Sequence, residues 1–142
     1  MDTAGLQLVR AITDQALAAY GATAECRQDI AVALGEACGN AIRHAWTSDE
    51  YAVTVGIADG VCLFEVTDAG PGFVVDGPPT LPAGTTPSGR GLYLIAQFAD
   101  RFEVDSHPGR GTTVRGAKQL QYTAAPNTGK AHQLLNRPVR SS

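Results

Sequence analysis

The sequence predicts an α/β fold of the α+β kind, with helices flanking an antiparallel sheet. Three observations carry that expectation. The N-terminal part has two segments with apolar residues at helical spacing, two β-branched and aromatic runs meet at Asp59-Gly60, and a short helical period followed by strand-like runs comes after a proline-rich stretch. A chain of 142 residues fits one domain with a single apolar core.

Leu6, Val9, Ile12, Ala16 and Ala19 recur at helical spacing, and Gly21 closes the segment as a C-terminal glycine should. A second helix is expected from Ala24 to Ala45, with Ile30, Leu34, Ala41 and Ala45 on one stripe. At 100° per residue Glu36, Asn40 and His44 fall on roughly the opposite side, away from that stripe. Tyr51 to Ala58 and Val61 to Thr67 read as two antiparallel strands, because Asp-Gly between such runs is a strong hairpin signal. From Asp68 to Ser88 the chain is dense in glycine, proline and threonine, which excludes regular structure and suggests a functional loop. Gly91 to Asp100 reads as a helix with Leu92, Ile95, Ala96 and Ala99 inward. Phe102 to Asp105 and Thr112 to Gly116 read as strands about a turn at His107-Pro-Gly109. Beyond Leu120 few apolar residues and no periodicity remain, so residues 121–142 are expected to be a flexible tail that nucleotide binding does not need.

The net charge of −3 hides an asymmetry: all 14 acidic residues lie at or before Asp105, and six of the 11 basic ones lie after it. Six basic charges spread that thinly do not make a nucleic-acid footprint, so no nucleic-acid partner is expected. No apolar run reaches the ~18 positions of a membrane helix, and the N-terminus lacks the pattern of a signal peptide. A cytoplasmic protein with no membrane partner is the expectation. Cys26, Cys38 and Cys62 are odd in number and set in apolar segments, which suits buried free thiols rather than a disulfide framework or metal site.

Four short motifs carry the chemistry. Glu36 and Asn40, four apart, sit one above the other on a helix and can address one ligand together. A carboxamide oxygen suits Mg2+, which keeps phosphate oxygens and water for most of its octahedron, so Asn40 is the metal candidate. A carboxylate one turn earlier can accept the proton of an attacking hydroxyl, which makes Glu36 the candidate base. Without its context the pair would be an ordinary solvated helix face. Asp68, directly off a strand, can accept a hydrogen bond from an exocyclic amine such as that of adenine, and Gly70 and Gly72 permit close ligand approach. The alternative there is a plain turn. Ser88-Gly89-Arg90-Gly91-Leu92 opens a helix, where backbone N–H groups and the helix dipole favour an anion such as a triphosphate. Arg90 either reaches the γ-phosphate or faces solvent. Neither the Walker order nor the Rossmann fingerprint is present.

In order and spacing, Glu36-Ala-Cys-Gly-Asn40, Asp68-Ala-Gly-Pro-Gly72, Ser88-Gly-Arg-Gly91 and Gly111-Thr-Thr113 resemble the boxes of the Bergerat-fold, or GHKL, ATPase and kinase superfamily. The resemblance spans about Leu6 to Val114 and is strongest to the small anti-sigma-factor serine/threonine kinases. It implies a two-layer sandwich, with a mixed, mostly antiparallel sheet covered on one face by helices, and assigns residues 1–120 to the ATP-binding kinase domain. It further implies ATP and Mg2+ as cofactors, Glu36 as catalytic base, Asn40 as magnesium ligand and Thr112 near the adenine and its water, ordinary strand propensity being the other account of that threonine. Arg43 and His44 then either orient the helix end, approach phosphate or are surface residues. The implied partners are a sigma factor and a STAS-type anti-anti-sigma protein, with pairing to a second copy of the chain also implied. Arg10 is the candidate partner contact, with a solvated arginine as its alternative. A rival reading keeps the fold and nucleotide but has no phosphotransfer, leaving a nucleotide-gated binding protein. The chain departs from its relatives at the start, where they usually carry a β-strand and this sequence shows helical spacing within a few residues of Met1.

Overall fold

In the computed structural model the described residues are 4–44, 50–70, 87–106, 108–123 and 132–140. Helix α1 spans Ala4–Ala19 and ends in a Schellman arrangement: Ala22 N–H donates to the Leu17 carbonyl, Gly21 N–H donates to Ala18, and Gly21 takes φ +96°. Helix α2, Ala24–His44, starts directly after a side-chain cap, with the Thr23 hydroxyl accepting from Cys26 N–H at 3.1 Å. The two ends are thus fixed by their own sequence.

Strands β1 (Glu50–Ala58) and β2 (Val61–Asp68) form the expected hairpin. Asp59 and Gly60 both take positive φ, 52° and 75°, the conformation of a two-residue turn whose twist suits the strands. Helix α3 covers Pro87–Phe98, beginning four residues before the expected Gly91. Proline is at home in the first position of a helix, where its missing N–H costs nothing, so the glycine box becomes the first turn. Strands β3 (Arg101–Ser106) and β4 (Thr112–Gln119) follow. The turn expected at His107-Pro-Gly109 is there at Pro108 and Gly109, the latter with φ +81°; His107 lies outside the described residues.

The five strands run in the order β3-β4-β2-β1-β5, and every pairing among them is antiparallel. The fifth, β5 (His132–Arg140), corrects the expectation of a flexible tail over residues 121–142. It pairs with β1 through a bulge at Val55/Gly56, and its Leu135 and Val139 are buried. A strap precedes it: Thr23 N–H donates to Gln121, Leu120 N–H to Gly60, Thr123 N–H to Gly21, and Tyr122 bridges Ala22.

Alternation along the strands decides the layers. Tyr51, Val53, Val55 and Ile57 of β1, Phe64 and Val66 of β2 and Val114 of β4 point to one face, where they meet Val9 and Leu17 of α1, Ile30, Leu34 and Ala37 of α2 and Ile95 of α3. Helix α2 packs against both α1 and α3. Phe64 lies flat across the neighbouring strand, where Gly116 is its register partner; a Cβ at Gly116 would overlap the ring. Between the layers Lys118 reaches Asp29 of α2 at 3.5 Å and Asp100 at 3.8 Å. Cys26, Cys38 and Cys62 are free and buried, as expected. No helix among the described residues is long and apolar enough to cross a membrane.

Candidate functional site

Helix α2 carries half of the site. Glu36 is partly exposed, and Asn40 follows it by one turn. Asn40 does not face away from the interior as periodicity alone suggests: it is 1% exposed, as buried as Ala37 and Ala41 beside it. Asn40 lies beside the buried Ala33 and Ala37 on the helix, and α2 packs against α3 as well as against the sheet. Both polar atoms of the Asn40 carboxamide, Oδ1 and Nδ2, lack a hydrogen-bond partner among the described residues. Leaving a buried amide unpaired costs about 1–3 kcal/mol. Thr13 and Tyr51 each have one such hydroxyl, but in Asn40 donor and acceptor are both unspent, one turn from a carboxylate.

The sheet supplies the other half. At one end, Tyr51, Asp68, Thr112 and Ser106 are register partners across β1, β2, β4 and β3, all on the helix-covered face. Asp68 is 5% exposed, and its Oδ1 accepts the Gly70 N–H at 2.8 Å, which turns the chain out of β2. A carboxylate offers about four acceptor positions and can take several donors at once. Thr112, 2% exposed, shares a 2.6 Å hydrogen bond with the Ser106 hydroxyl, which is 3.4 Å from the Gly111 carbonyl as well. Gly111 is held at φ +79° so close to β2 that a Cβ would collide with the Asp68 carbonyl. Asp68, Gly70, Gly111 and Thr112, read from separate motifs, therefore form one structural unit.

Ser106 was not among the residues read from sequence. It sits one position before a turn at the end of a strand, and its only signal was inward alternation opposite Thr112. Tyr51 and Cys38 were likewise missed. The Tyr51 hydroxyl lies against the Cys38 thiol between β1 and α2; burial pushes the thiol up to about 12 and the phenol above its ordinary range. Arg10 is exposed on α1 with its guanidinium end 3.8–3.9 Å from where a Gly35 Cβ would lie, one residue before Glu36. Gly89, Arg90, Gly91 and Leu92 are in the first turns of α3 and Arg43 and His44 in the last turn of α2, with side chains outside the description. Gly72 lies outside the described residues.

An α2 carboxylate one turn from an unspent carboxamide, and a buried polar row on the face of the sheet that α2 packs against, are the parts a nucleotide between helix and sheet would need. Comparison with known proteins agrees: residues 1–118 match the model of the histidine kinase-like ATPase domain. The chain belongs to that family. Within it, the chain is 34% identical over 99 residues to the anti-sigma F factor of Caldanaerobacter subterraneus subsp. tengcongensis, covering 65% of this chain and 69% of that one. It is 33% identical over 106 residues to the serine-protein kinase RsbW of Bacillus subtilis, covering 66% and 64%. The RsbW of Bacillus velezensis aligns over 126 residues at 31% identity, covering 80% and 77%. The domain implies ATP binding, and the relatives place the chain among the anti-sigma kinases of the GHKL group.

Proposed function

We propose that the protein is a serine/threonine protein kinase that binds a sigma factor and phosphorylates a STAS-type anti-anti-sigma protein, so that one partner is exchanged for the other. The observation that carries the reading is the buried, unpartnered carboxamide of Asn40 one helical turn from Glu36. In this account Asp68 accepts the adenine amine, Thr112 is held by Ser106 beside the base, and Gly70, Gly72, Gly89 and Gly91 admit the nucleotide backbone. Arg90 is the candidate for the γ-phosphate, Leu92 belongs to the same glycine box, and Arg43 and His44 are the candidate phosphate or helix-end contacts. Asn40 Oδ1 would hold Mg2+, which would supply charge neutralisation to the phosphates. Glu36 takes the proton of the attacking hydroxyl; the seryl oxygen bonds to the γ-phosphorus as the bond to the departing ADP breaks.

The names of the relatives support both partner types, one group being called anti-sigma factors and the other serine-protein kinases. Arg10, lying over Gly35, is placed for a docked partner to be felt next to Glu36. The test is transfer of labelled phosphate from Mg-ATP to a STAS protein. Wild type transfers, and Glu36→Gln keeps ATP affinity while losing at least about a hundredfold in rate. Tight ATP binding without transfer to any STAS protein would leave the nucleotide-gated binding protein in its place.

A further inference from the structure

The Ser106 hydroxyl belongs to no sequence motif, yet it sits in the buried polar row. Ser106 is 5% exposed and Thr112 2%, and they are register partners at adjoining ends of β3 and β4. Their side-chain oxygens are 2.6 Å apart, and Ser106 Oγ is 3.4 Å from the Gly111 carbonyl. Another hydroxyl pair, Thr67 with Thr113 at 3.1 Å, is only partly buried, so water can serve it in either direction. At Ser106 and Thr112 the direction is left to protein groups and to whatever enters the site.

Each hydroxyl has one proton to give, and a carbonyl has none. The two contacts are hydrogen bonds at once only when Thr112 donates to Ser106 and Ser106 donates to Gly111. In that arrangement Thr112 offers a ligand lone pairs alone. Reversing the pair makes Ser106 the donor to Thr112 and frees the Thr112 proton for another acceptor. The 2.6 Å bond survives the reversal and only the 3.4 Å contact is given up, which is long for a hydrogen bond between oxygens, so the change costs little.

We infer that Ser106 is a positioning residue for the base. It donates to Thr112, so that Thr112 donates to the ring nitrogen beside the exocyclic amine, directly or through one water. This role rests on the reading of Asp68 as the acceptor of the adenine amine. Adenine sets that amine, a donor, next to N1, an acceptor. Asp68 and Thr112 are register partners, so a carboxylate acceptor and a hydroxyl donor stand side by side in the matching order. Gly111, at φ +79° against the Asp68 carbonyl, fixes β4 to β2 at this point. Ser106 supplies what that frame lacks, a partner that holds the Thr112 rotamer and orders its proton.

The test compares ATP with 1-deaza-ATP, which keeps the amine and replaces N1 by C–H. Both are titrated by calorimetry into full-length wild type and Ser106→Ala. Ser106→Ala should weaken ATP roughly five- to tenfold and 1-deaza-ATP less than about twofold, because only ATP uses the ordered Thr112 proton. A hydroxyl that merely supports the strand would weaken both nucleotides equally. Should Ser106→Ala fail to fold, Ser106→Cys, which keeps the volume with a weak S–H donor, is read by the same comparison. Equal losses for the two nucleotides, with magnesium-dependent ATP binding by wild type intact, overturn the Ser106 role alone. Binding of neither nucleotide by folded wild type overturns it together with the nucleotide reading.

Discussion

Asn40 makes opposite demands on stability and on function. Its carboxamide is buried without partners among the described residues, so Asn40→Leu, which fills similar volume without polar atoms, should leave the nucleotide-free protein as stable as wild type or raise it by about 1 kcal/mol. The same change should abolish magnesium-dependent nucleotide binding; thermal melts with and without Mg-ATP read both. Gly111→Ala is predicted to cost at least about 2 kcal/mol, since the new Cβ meets the Asp68 carbonyl and the residue is held at positive φ. Urea titration of that variant checks it. Cys38 and Cys62, ordinarily near 9.0, are both pushed up to about 12 by burial. The folded state thus favours their protonated forms, a stabilisation complete below about pH 9 and lost as pH rises towards about 12. Cys38→Ala/Cys62→Ala should lower stability overall but flatten its decline, as urea denaturation from about pH 8 to about pH 11 would show. Residue types at fixed spacing made Glu36, Asn40, Asp68 and Thr112 candidates from the sequence, and the structure makes Asp68 and Thr112 register partners. The burial of Asn40 and the part played by Ser106 were not legible, because each depends on an element packed from elsewhere in the chain.

At the scale of elements, local signals were read well and non-local ones poorly. Gly21 and Asp59-Gly60 act within a few residues, so the α1 end and the hairpin could be read directly. Strand β5 could not. An edge strand with one buried face needs only a pair of inward residues, here Leu135 and Val139, and Pro138, which argues against a central strand, is acceptable at the rim. Its identity as a strand comes from β1, some 80 residues earlier in sequence. Ending the chain before His132 should therefore cost about 3–5 kcal/mol, from two buried apolar side chains and an exposed β1 edge, rather than remove a dispensable tail. Guanidinium denaturation would show an unchanged midpoint if the strand contributes nothing. Gly116→Ala belongs here too: it should loosen the β2–β4 pairing by pushing Phe64 off its neighbour, lowering stability without touching the nucleotide site.

For the whole molecule, two layers meet at one functional end. The helical layer brings a carboxylate and an unspent carboxamide on α2, and the sheet brings a polar row from Tyr51 to Ser106 that is buried only because the helices cover it. In the proposed site each layer supplies only part of what an adenine nucleotide would need, which is why motifs far apart in sequence had to be read together. The central claim is that α2 and the β2–β4 row hold one magnesium nucleotide between them. Titration calorimetry of ATP and GTP, with and without Mg2+, on wild type, Asn40→Ala and Asp68→Asn tests it most directly. The account predicts magnesium-dependent binding of ATP over GTP, with the magnesium dependence lost in Asn40→Ala and the adenine preference lost in Asp68→Asn. Equal binding of both nucleotides by folded wild type, or variants that bind as wild type does, would contradict it.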